Sequence, residues 1–469
     1  MIEIKIDKSD EKKYIYQQVY DKIKSYIVEK RIDANEQLPS KRLLAEQLNI
    51  SVNSVTTAYE QLLAEGYIYT IERAGYFVEK ITDLHNKKAS ECVLPEDLRE
   101  AENAKTGWLS FSHISVDASM FPWSNWMKSE QKAMKHNRAQ IAELTHFQGP
   151  MQLRLEIAKL IALTRGVICE PEQIVIGAGT QSLIERLVSL SDKNTKIAIE
   201  DPGYRRFYHL IKRIGYHVEP IPLDHNGLNI QALHQSEAKI VFVTPSHQFP
   251  TGTIMPISRR NELLNWAAQN ETRFIVEDDY DSEFKYETDH IPSLQSLDQN
   301  QQVVYTGSFS KTILPSLRIS YMVLPFHLLR KYRARYADIM HEVSGINLYT
   351  LYYFIQDGLY QKHVRNMNKQ YEKKRIQLIK RLKYTFKDQM EIIDVPAGLH
   401  FLTYMKTIKT YDEVKERAKE EKLEMYTLQR FNLTNRVESE QRLGIIIGFA
   451  AIQEERIEEA VNRLLRVFS

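Results

Sequence analysis

The sequence predicts an α/β chain in two unequal parts, a small helical N-terminal unit followed by a large domain on a mostly parallel sheet. Three observations lead there. Apolar residues recur at helical spacing up to Gly66 and then alternate at strand spacing as far as residue 80. Residues 81–106 are polar, charged and without period. From 107 to 469, short apolar runs alternate with helical stretches, the pattern of a sheet covered on both faces. The expected organisation is therefore 1–80, a linker over 81–106, and 107–469.

Composition bounds the class. With 43% hydrophobic and 26% charged residues the chain reads as an ordinary globular protein, and a net charge of +2 singles out no polyanionic partner. No early apolar run resembles a signal peptide and none is long enough to cross a bilayer, so the expected location is cytoplasmic, without a membrane partner. Cys92 and Cys169 support neither a disulfide framework nor a metal cluster. His113, His247 and the other histidines show no metal-like spacing; no metal is expected, and packing or surface roles are assigned to them.

In the first segment, Ile15, Val19, Ile23 and Ile27 form one apolar stripe of an amphipathic helix. In LPSKRLLAEQLNI (38–50), Ser40 is a good N-cap, Leu43, Leu44 and Leu48 are expected to face inward, and Asn49 can end the helix. Ser51 then caps SVNSVTTAYEQLLAEG, which buries Val55, Tyr59 and Leu62 and stops at Gly66. YIYTIERAGYFVEK (67–80) alternates like a hairpin with AG at its tip. Helix, helix–turn–helix and hairpin in that order describe a winged helix-turn-helix.

In the third segment the expected strands are QIVIGAG (173–179), KIAIED (196–201), KIVFVTP (239–245), RFIVEDD (273–279), VVYTGS (303–308) and RISYMVL (318–324). Ligands of such sheets gather where the carboxyl ends of the strands open into loops. Those ends carry GAGTQ (177–181), EDPGYRR (200–206), TPSHQFPTG (244–252) and EDDYDSEF (277–284), and then SFSK with a lone Lys311. A lysine in a turn is ordinarily a surface residue; a partly desolvated amine is a nucleophile toward carbonyls. A glycine-bearing turn at a helix N-terminus offers N–H groups to a phosphate. Together with hydroxyls, an arginine and a strand-end aspartate, these are the parts needed to hold pyridoxal 5'-phosphate: the lysine forms the imine, the aspartate keeps the pyridine nitrogen protonated, a tyrosine bonds the phenolic oxygen and an aromatic ring stacks on the pyridine.

GAGTQ, EDPGYRR, PTG, EDDY and SFSK…LR, in this order, resemble the fold-type I aminotransferases. The resemblance covers about 360 residues, from SFSHISVDASMFPWSNW (110–126) to the LRVFS end. LPSKRLLAEQLNISVNSVTTAYEQLLAEGY resembles the DNA-binding domain of GntR-type regulators. The fusion of the two is the architecture of the MocR subfamily, and EDPGYRR, TPSHQFPTGTIMPISRR and EDDYDSEF look closest to its GABA-responsive GabR type.

The resemblance implies roles. Lys311 matches the Schiff-base lysine and Asp278 the pyridine-nitrogen partner, with the adjacent Asp279 left as an alternative. Tyr280 matches the phenolic-oxygen tyrosine and Tyr204 the stacking ring. Gly179, Thr180, Gln181, Ser308, Ser310 and Arg318 match phosphate contacts. Arg206 and Arg430 would clamp an effector carboxylate, Arg205 being the alternative to Arg206; the planar guanidinium suits two-point contact. Three departures stand out. Phe249 occupies the place of an asparagine before PTG, with Gln248 or His247 as substitutes. Ile446 stands where a C-terminal LRLGFA-like strand carries a carboxylate-binding arginine, which disfavours α-amino acids and favours ω-amino acids held elsewhere. Val52 replaces an arginine of the usual VSRNTV.

Residues 1–80 hold 12 Lys+Arg against 13 Asp+Glu, so net charge does not carry DNA binding. Local groups do: Ser40, Lys41 and Arg42 for phosphates, Asn53, Ser54 and Thr57 for base edges, and Arg73 near the hairpin tip for a neighbouring groove. The expected protein is a pyridoxal-phosphate-dependent transcriptional regulator sensing GABA or a similar ω-amino acid through external aldimine formation, a homodimer reading two DNA half-sites. The alternatives are a working aminotransferase with an appended DNA-binding domain, and a binding-only repressor with a relic cofactor site.

Overall fold

The computed structural model describes residues 6–7, 13–82, 94–100, 106–286, 291–434 and 442–469. The chain divides into two units, Met1–Asn103 and Ala104–Ser469.

The smaller unit runs as helices Ile15–Val28, Lys41–Leu48 and Val52–Ala64, then a hairpin of Ile68–Ile71 and Gly75–Val78. The caps fall where the sequence puts them. Ser40 Oγ accepts the Leu43 N–H at 3.2 Å, Ser51 Oγ accepts the Ser54 N–H at 3.1 Å, and Asn49 closes the second helix in the left-handed conformation at φ +51°. Val19, Ile23, Val55, Tyr59 and Leu62 form the core with Leu44, and the Tyr59 hydroxyl donates to the Pro39 carbonyl at 2.8 Å. Ile15, the first residue of its helix, is only half-buried. Leu43 corrects the expectation. It is 48% exposed while Leu44 is 0% exposed, because a turn of 100° per residue separates it from the stripe that Leu44 and Leu48 share.

The larger unit is built on an eight-stranded mixed sheet in the spatial order Ile174–Gly177, Ser320–Val323, Val303–Ser308, Phe274–Asp279, Ile240–Val243, Lys196–Asp201, His217–Asp224 and Gly227–Leu228. The five strands from Val303–Ser308 to His217–Asp224 pair in parallel; Ser320–Val323 and Gly227–Leu228 run antiparallel to their neighbours. All six expected strands are present. His217–Asp224 was not expected, since Pro220 and Pro222 argue against a strand interior. It is tolerated because beyond it only Leu223 and Asp224 pair, with the two-residue Gly227–Leu228. A second, wholly antiparallel sheet of Met390–Ile393, His400–Lys406, Arg442–Gly448 and Tyr426–Thr427 packs with the helices Leu359–Phe386 and Ile457–Phe468 around Phe401, Ile445, Ile447, Phe449, Leu378 and Leu464. Among the described residues no helix is long and apolar enough to cross a membrane.

Candidate functional site

The strand ends of the main sheet converge as the sequence implies. Ile174–Gly177 runs into Gly179, which sits at φ +95° as the N-cap of the helix Thr180–Val188. Glycine is required there twice over: an L-residue disfavours that φ, and a Cβ would lie 2.2 Å from the Arg318 guanidinium. Arg318 thus lies against a helix N-terminus whose N–H groups favour an anion. Hydroxyls line the same place. Thr180 Oγ1 is 3.3 Å from Ser320 Oγ, Ser320 Oγ donates to Ser308 Oγ at 2.9 Å, and Ser308 Oγ accepts the Ser310 N–H at 3.2 Å. The buried Ser310 Oγ has no hydrogen-bond partner among the described residues. A free hydroxyl, an arginine and a helix N-terminus are a cradle with the chemistry for a phosphate. Gln181 follows in the first turn of the helix, half-buried. Ser320 was not singled out in the sequence, although it lies two residues beyond Arg318.

Lys311 lies in the turn after Val303–Ser308. Its Nζ donates to the carbonyls of His113 at 2.5 Å and Ile114 at 2.9 Å. Burial lowers the ammonium to about 8, against the attraction of Asp281 and with the repulsion of Arg206. The two carbonyl contacts come from backbone 198 residues away, which sequence reading of side chains could not find.

The adjacent aspartates differ sharply. Side chains alternate along Phe274–Asp279, so Glu277 and Asp279 share one face and Asp278 takes the other. Asp279 is buried against Arg165 Nε at 2.7 Å and the Tyr305 hydroxyl at 2.5 Å; Glu277 accepts the N–H groups of Leu294 and Gln295. Among the described residues Asp278 accepts only from Thr306 Oγ1, at 3.1 Å, and burial raises its carboxyl to about 7. The Tyr204 phenol is raised by burial and feels the charges of Arg206, Asp278 and Arg318, which therefore stand around one space. The Tyr280 hydroxyl lies 3.0 Å from both the Nδ1 and the carbonyl oxygen of His247.

His113 is buried among Phe249, Tyr426 and Phe431, and besides burial the charges of Lys311, Arg430 and Arg206 hold its imidazole well below the ordinary range. Two guanidinium groups and the lysine thus press on one ring. Arg206 and Arg430 are themselves exposed, and the Arg430 guanidinium stacks over Tyr426 at 4.5 Å. Arg205 turns instead to His209 Nε2 at 3.0 Å. It lines, with Trp108, Lys415 and Arg430, a groove of about 1070 Å³ whose lining includes neither Lys311 nor Asp278, which makes it a neighbour of the site rather than the site.

Both departures in the large domain fall in one apolar cluster. Phe249 packs with Leu402, Leu428, Phe431 and Ile446, and with the rings of Tyr204 and Tyr280. Of the two substitutes for the missing asparagine, Gln248 is engaged elsewhere, its amide donating to Glu200 at 3.2 Å, Pro202 at 3.1 Å and Phe249 at 2.6 Å, while His247 meets Tyr280. His247, Asp281 and His400, read apart in sequence, bring polar atoms within 4.8 Å of one another.

In the smaller unit Lys41 Nζ lies 5.3 Å over the Tyr76 ring, and Arg42, Asn53 and Arg73 are exposed. Ser54 Oγ is 2.9 Å from Ser51 Oγ and Thr57 Oγ1 donates to the Asn53 carbonyl at 3.0 Å, so both hydroxyls are partly engaged by their own helix. Val52 is exposed at the helix start.

Residues 106–464 match the class I and II aminotransferase family, and residues 15–78 match the gntR family of bacterial regulatory proteins. The chain is 39% identical over 453 residues to the HTH-type transcriptional regulator YdeL of Bacillus subtilis, covering 96% of each. It is 27% identical over 467 residues to the probable rhizopine catabolism regulatory protein MocR of Rhizobium meliloti, covering 97% of this chain and 94% of that one. A crystal structure of Pyrococcus horikoshii kynurenine aminotransferase in complex with PMP superposes with a TM-score of 0.67 at 19% identity, over 77% of this chain and 90% of that one, a likeness of fold.

Proposed function

The chain belongs to the MocR-type transcriptional regulators, in which a GntR-type helix-turn-helix domain is fused to an aminotransferase-like domain, and on that premise we propose that it is a pyridoxal-phosphate-dependent DNA-binding regulator responding to GABA or a similar ω-amino acid. What supports the effector reading is that Arg206, Arg430 and Lys311 stand near enough for their charges to act on the buried His113, while position 446 itself is a buried isoleucine and not an arginine. An amino group at Lys311 and a carboxylate at the two arginines belong to a ligand whose charges are well separated.

The residues fit the cofactor. Lys311 would hold it covalently, Asp278 would face its ring nitrogen, Tyr280 its phenolic oxygen and Tyr204 its ring face. Arg318, the unpartnered Ser310 hydroxyl, Ser308, Thr180, Gln181 and the backbone at Gly179 would take its phosphate. When bound, the group supplies an electron sink and a carbonyl that an amine can engage. The chain's own part is to keep Lys311 readily deprotonated, orient the carboxylate through the arginines and close the floor with Phe249 and Ile446.

Ligand binding shifts a regulator only by its differential affinity for two states, and the exposed pair Arg206, in the helix Arg205–Arg213, and Arg430, in the short helical turn Leu428–Phe431, is a source of such a difference. In the DNA-binding unit Ser40, Lys41 and Arg42 position the phosphates, and Asn53, Ser54, Thr57 and Arg73 read the grooves; the linker expected over 81–106 lies largely outside the described residues. A homodimer would read two half-sites; the exposed Trp123, Met127 and Met134 share one face of the helix Trp123–His136 and suit a second copy.

The test is the visible spectrum of protein supplied with pyridoxal phosphate, before and after GABA, β-alanine or L-glutamate. A band that shifts with GABA and persists without steady product formation supports the reading. Absence of any band refutes the cofactor assignment, and a band bleached and restored over many turnovers with an oxo acid makes the protein an aminotransferase first.

A further inference from the structure

We propose that His247, held by Asp281, is a positioning residue for Tyr280: the pair fixes the imidazole tautomer so that the Tyr280 hydroxyl remains a donor free to move onto a bound ligand oxygen. This rests on the cofactor site proposed above, whose phenolic oxygen is that acceptor.

The geometry is specific. His247 Nδ1 stands 3.0 Å from Asp281 Oδ2, 3.3 Å from Oδ1 and 3.0 Å from the Tyr280 hydroxyl. A carboxylate only accepts, so the proton between them belongs to Nδ1. The other ring nitrogen agrees, because the buried Nε2 has no partner among the described residues and an N–H there would be a donor without an acceptor. With Nδ1 protonated, Tyr280 cannot donate into the ring. Its proton goes to the His247 carbonyl at 3.0 Å, a neutral acceptor that a negatively charged ligand oxygen outcompetes. In the opposite tautomer the phenol would be drawn into Nδ1 and away from the site.

The pair is built in. His247 and Asp281 are both buried, and Leu399 N–H donates to Asp281 Oδ2 at 3.2 Å. Gly398 lies so close that a Cβ would stand 2.1 Å from the imidazole and 2.5 Å from Asp281 Oδ2. Burial first, and then the charges of Asp281, Asp278, Glu200 and, from the other face of its strand, Asp279, hold the Tyr280 phenol well above the ordinary range, in the donor form. His400 lies tilted against His247, ring centroids 4.7 Å apart, and stacks on Tyr280 at 6.5 Å, and burial above all holds its imidazole well below the ordinary range.

The experiment titrates the visible band of the cofactor-loaded protein with pH in wild type, Asp281→Asn, Asp281→Ala and Tyr280→Phe. A donor to the ligand oxygen stabilises its deprotonated form, so losing that donor raises the midpoint. The two Asp281 variants lose the same charge, but only the asparagine keeps an oxygen for Nδ1–H. The expected midpoint of Asp281→Ala lies about one pH unit above that of Asp281→Asn, the size of one hydrogen bond to a charged oxygen, and Tyr280→Phe shifts upward as well. Equal midpoints for the two Asp281 variants, with Tyr280→Phe displaced, overturn the proposal. Nitrogen NMR of histidine-labelled, cofactor-free protein, with His247→Gln to assign the signal, gives a reading that needs no cofactor. The Nδ1–H tautomer is expected, and Nε2–H overturns the inference. A wild type without a visible band refutes the cofactor assignment alone, and the tautomer then decides this one.

Discussion

Asp278 and Asp279 are neighbours in sequence with opposite energetic characters, and their asparagine variants should separate. Asp279 and Arg165 are 2% and 4% exposed and 2.7 Å apart, and the aspartate also accepts the Tyr305 hydroxyl. Asp279→Asn leaves the Arg165 charge buried without its counter-ion, a loss of about 3–5 kcal/mol for a broken buried pair. Among the described residues no cation bonds Asp278, and burial lifts its carboxyl to about 7 from an ordinary 3.8. The folded state therefore binds this proton more tightly than the unfolded chain, so its contribution to stability falls as pH rises from about 4 to about 7 and is level above that. Three pH units correspond to a penalty on the order of 4 kcal/mol as an upper bound, which Asp278→Asn removes. In thermal unfolding of cofactor-free protein at pH 8, Asp279→Asn should melt several degrees below wild type and Asp278→Asn at or above it. The gap between Asp278→Asn and wild type should shrink toward pH 4. Equal destabilisation by both substitutions would refute the assignment of the two faces.

Lys311 should react with an amine-directed reagent with a midpoint near pH 8 instead of the ordinary 10.5, measured by peptide mass spectrometry across a pH series. Ser310→Ala should leave folding intact, because that hydroxyl bonds nothing among the described residues, yet weaken pyridoxal phosphate binding about tenfold in a spectroscopic titration. Lys41→Ala should weaken DNA binding at all sequences and reduce the slope of log affinity against log salt by about one, whereas Asn53→Ala should change sequence preference, both read in gel-shift series over salt and operator variants.

What the sequence made legible was whatever local chemistry dictates. Ser40 and Ser51 announce helix starts because their hydroxyls serve the next turn, and the strands at 196–201 and 303–308 begin and end at the expected residues. Leu43 was misplaced because a cluster of three leucines hides which ones share a helical face. His217–Asp224 was hidden by its prolines, which only its edge position excuses. Within the site, motifs in register located the strand ends, but backbone contacts have no sequence signal: nothing in SFSH shows that the His113 carbonyl receives Lys311. The Asp281–His247 pair is similarly silent, since 34 residues separate two side chains that touch.

The two departures from the aminotransferase pattern in the large domain are physically one. Phe249 and Ile446 pack in the same cluster with Leu402, Leu428 and Phe431, and Ile446 is 0% exposed. An arginine at 446 would bury a guanidinium among these side chains, at a cost that no acidic residue of the cluster offsets. A polar residue at 249 would lose the contacts that Phe249 makes with Tyr204, Tyr280 and Phe431. Each residue thus favours the other, and together they make the floor beneath Tyr280 apolar. Under the proposed reading, an anion excluded from that floor is recognised at the exposed Arg206 and Arg430. Under the proposed reading this selects amino acids whose carboxylate lies far from the amine, and it leaves the α-carboxylate of an ordinary substrate without a partner. Restoring the anchor would therefore take both changes at once, and Ile446→Arg alone should lower stability without conferring transamination of α-amino acids, measured by thermal unfolding and by product formation from L-glutamate.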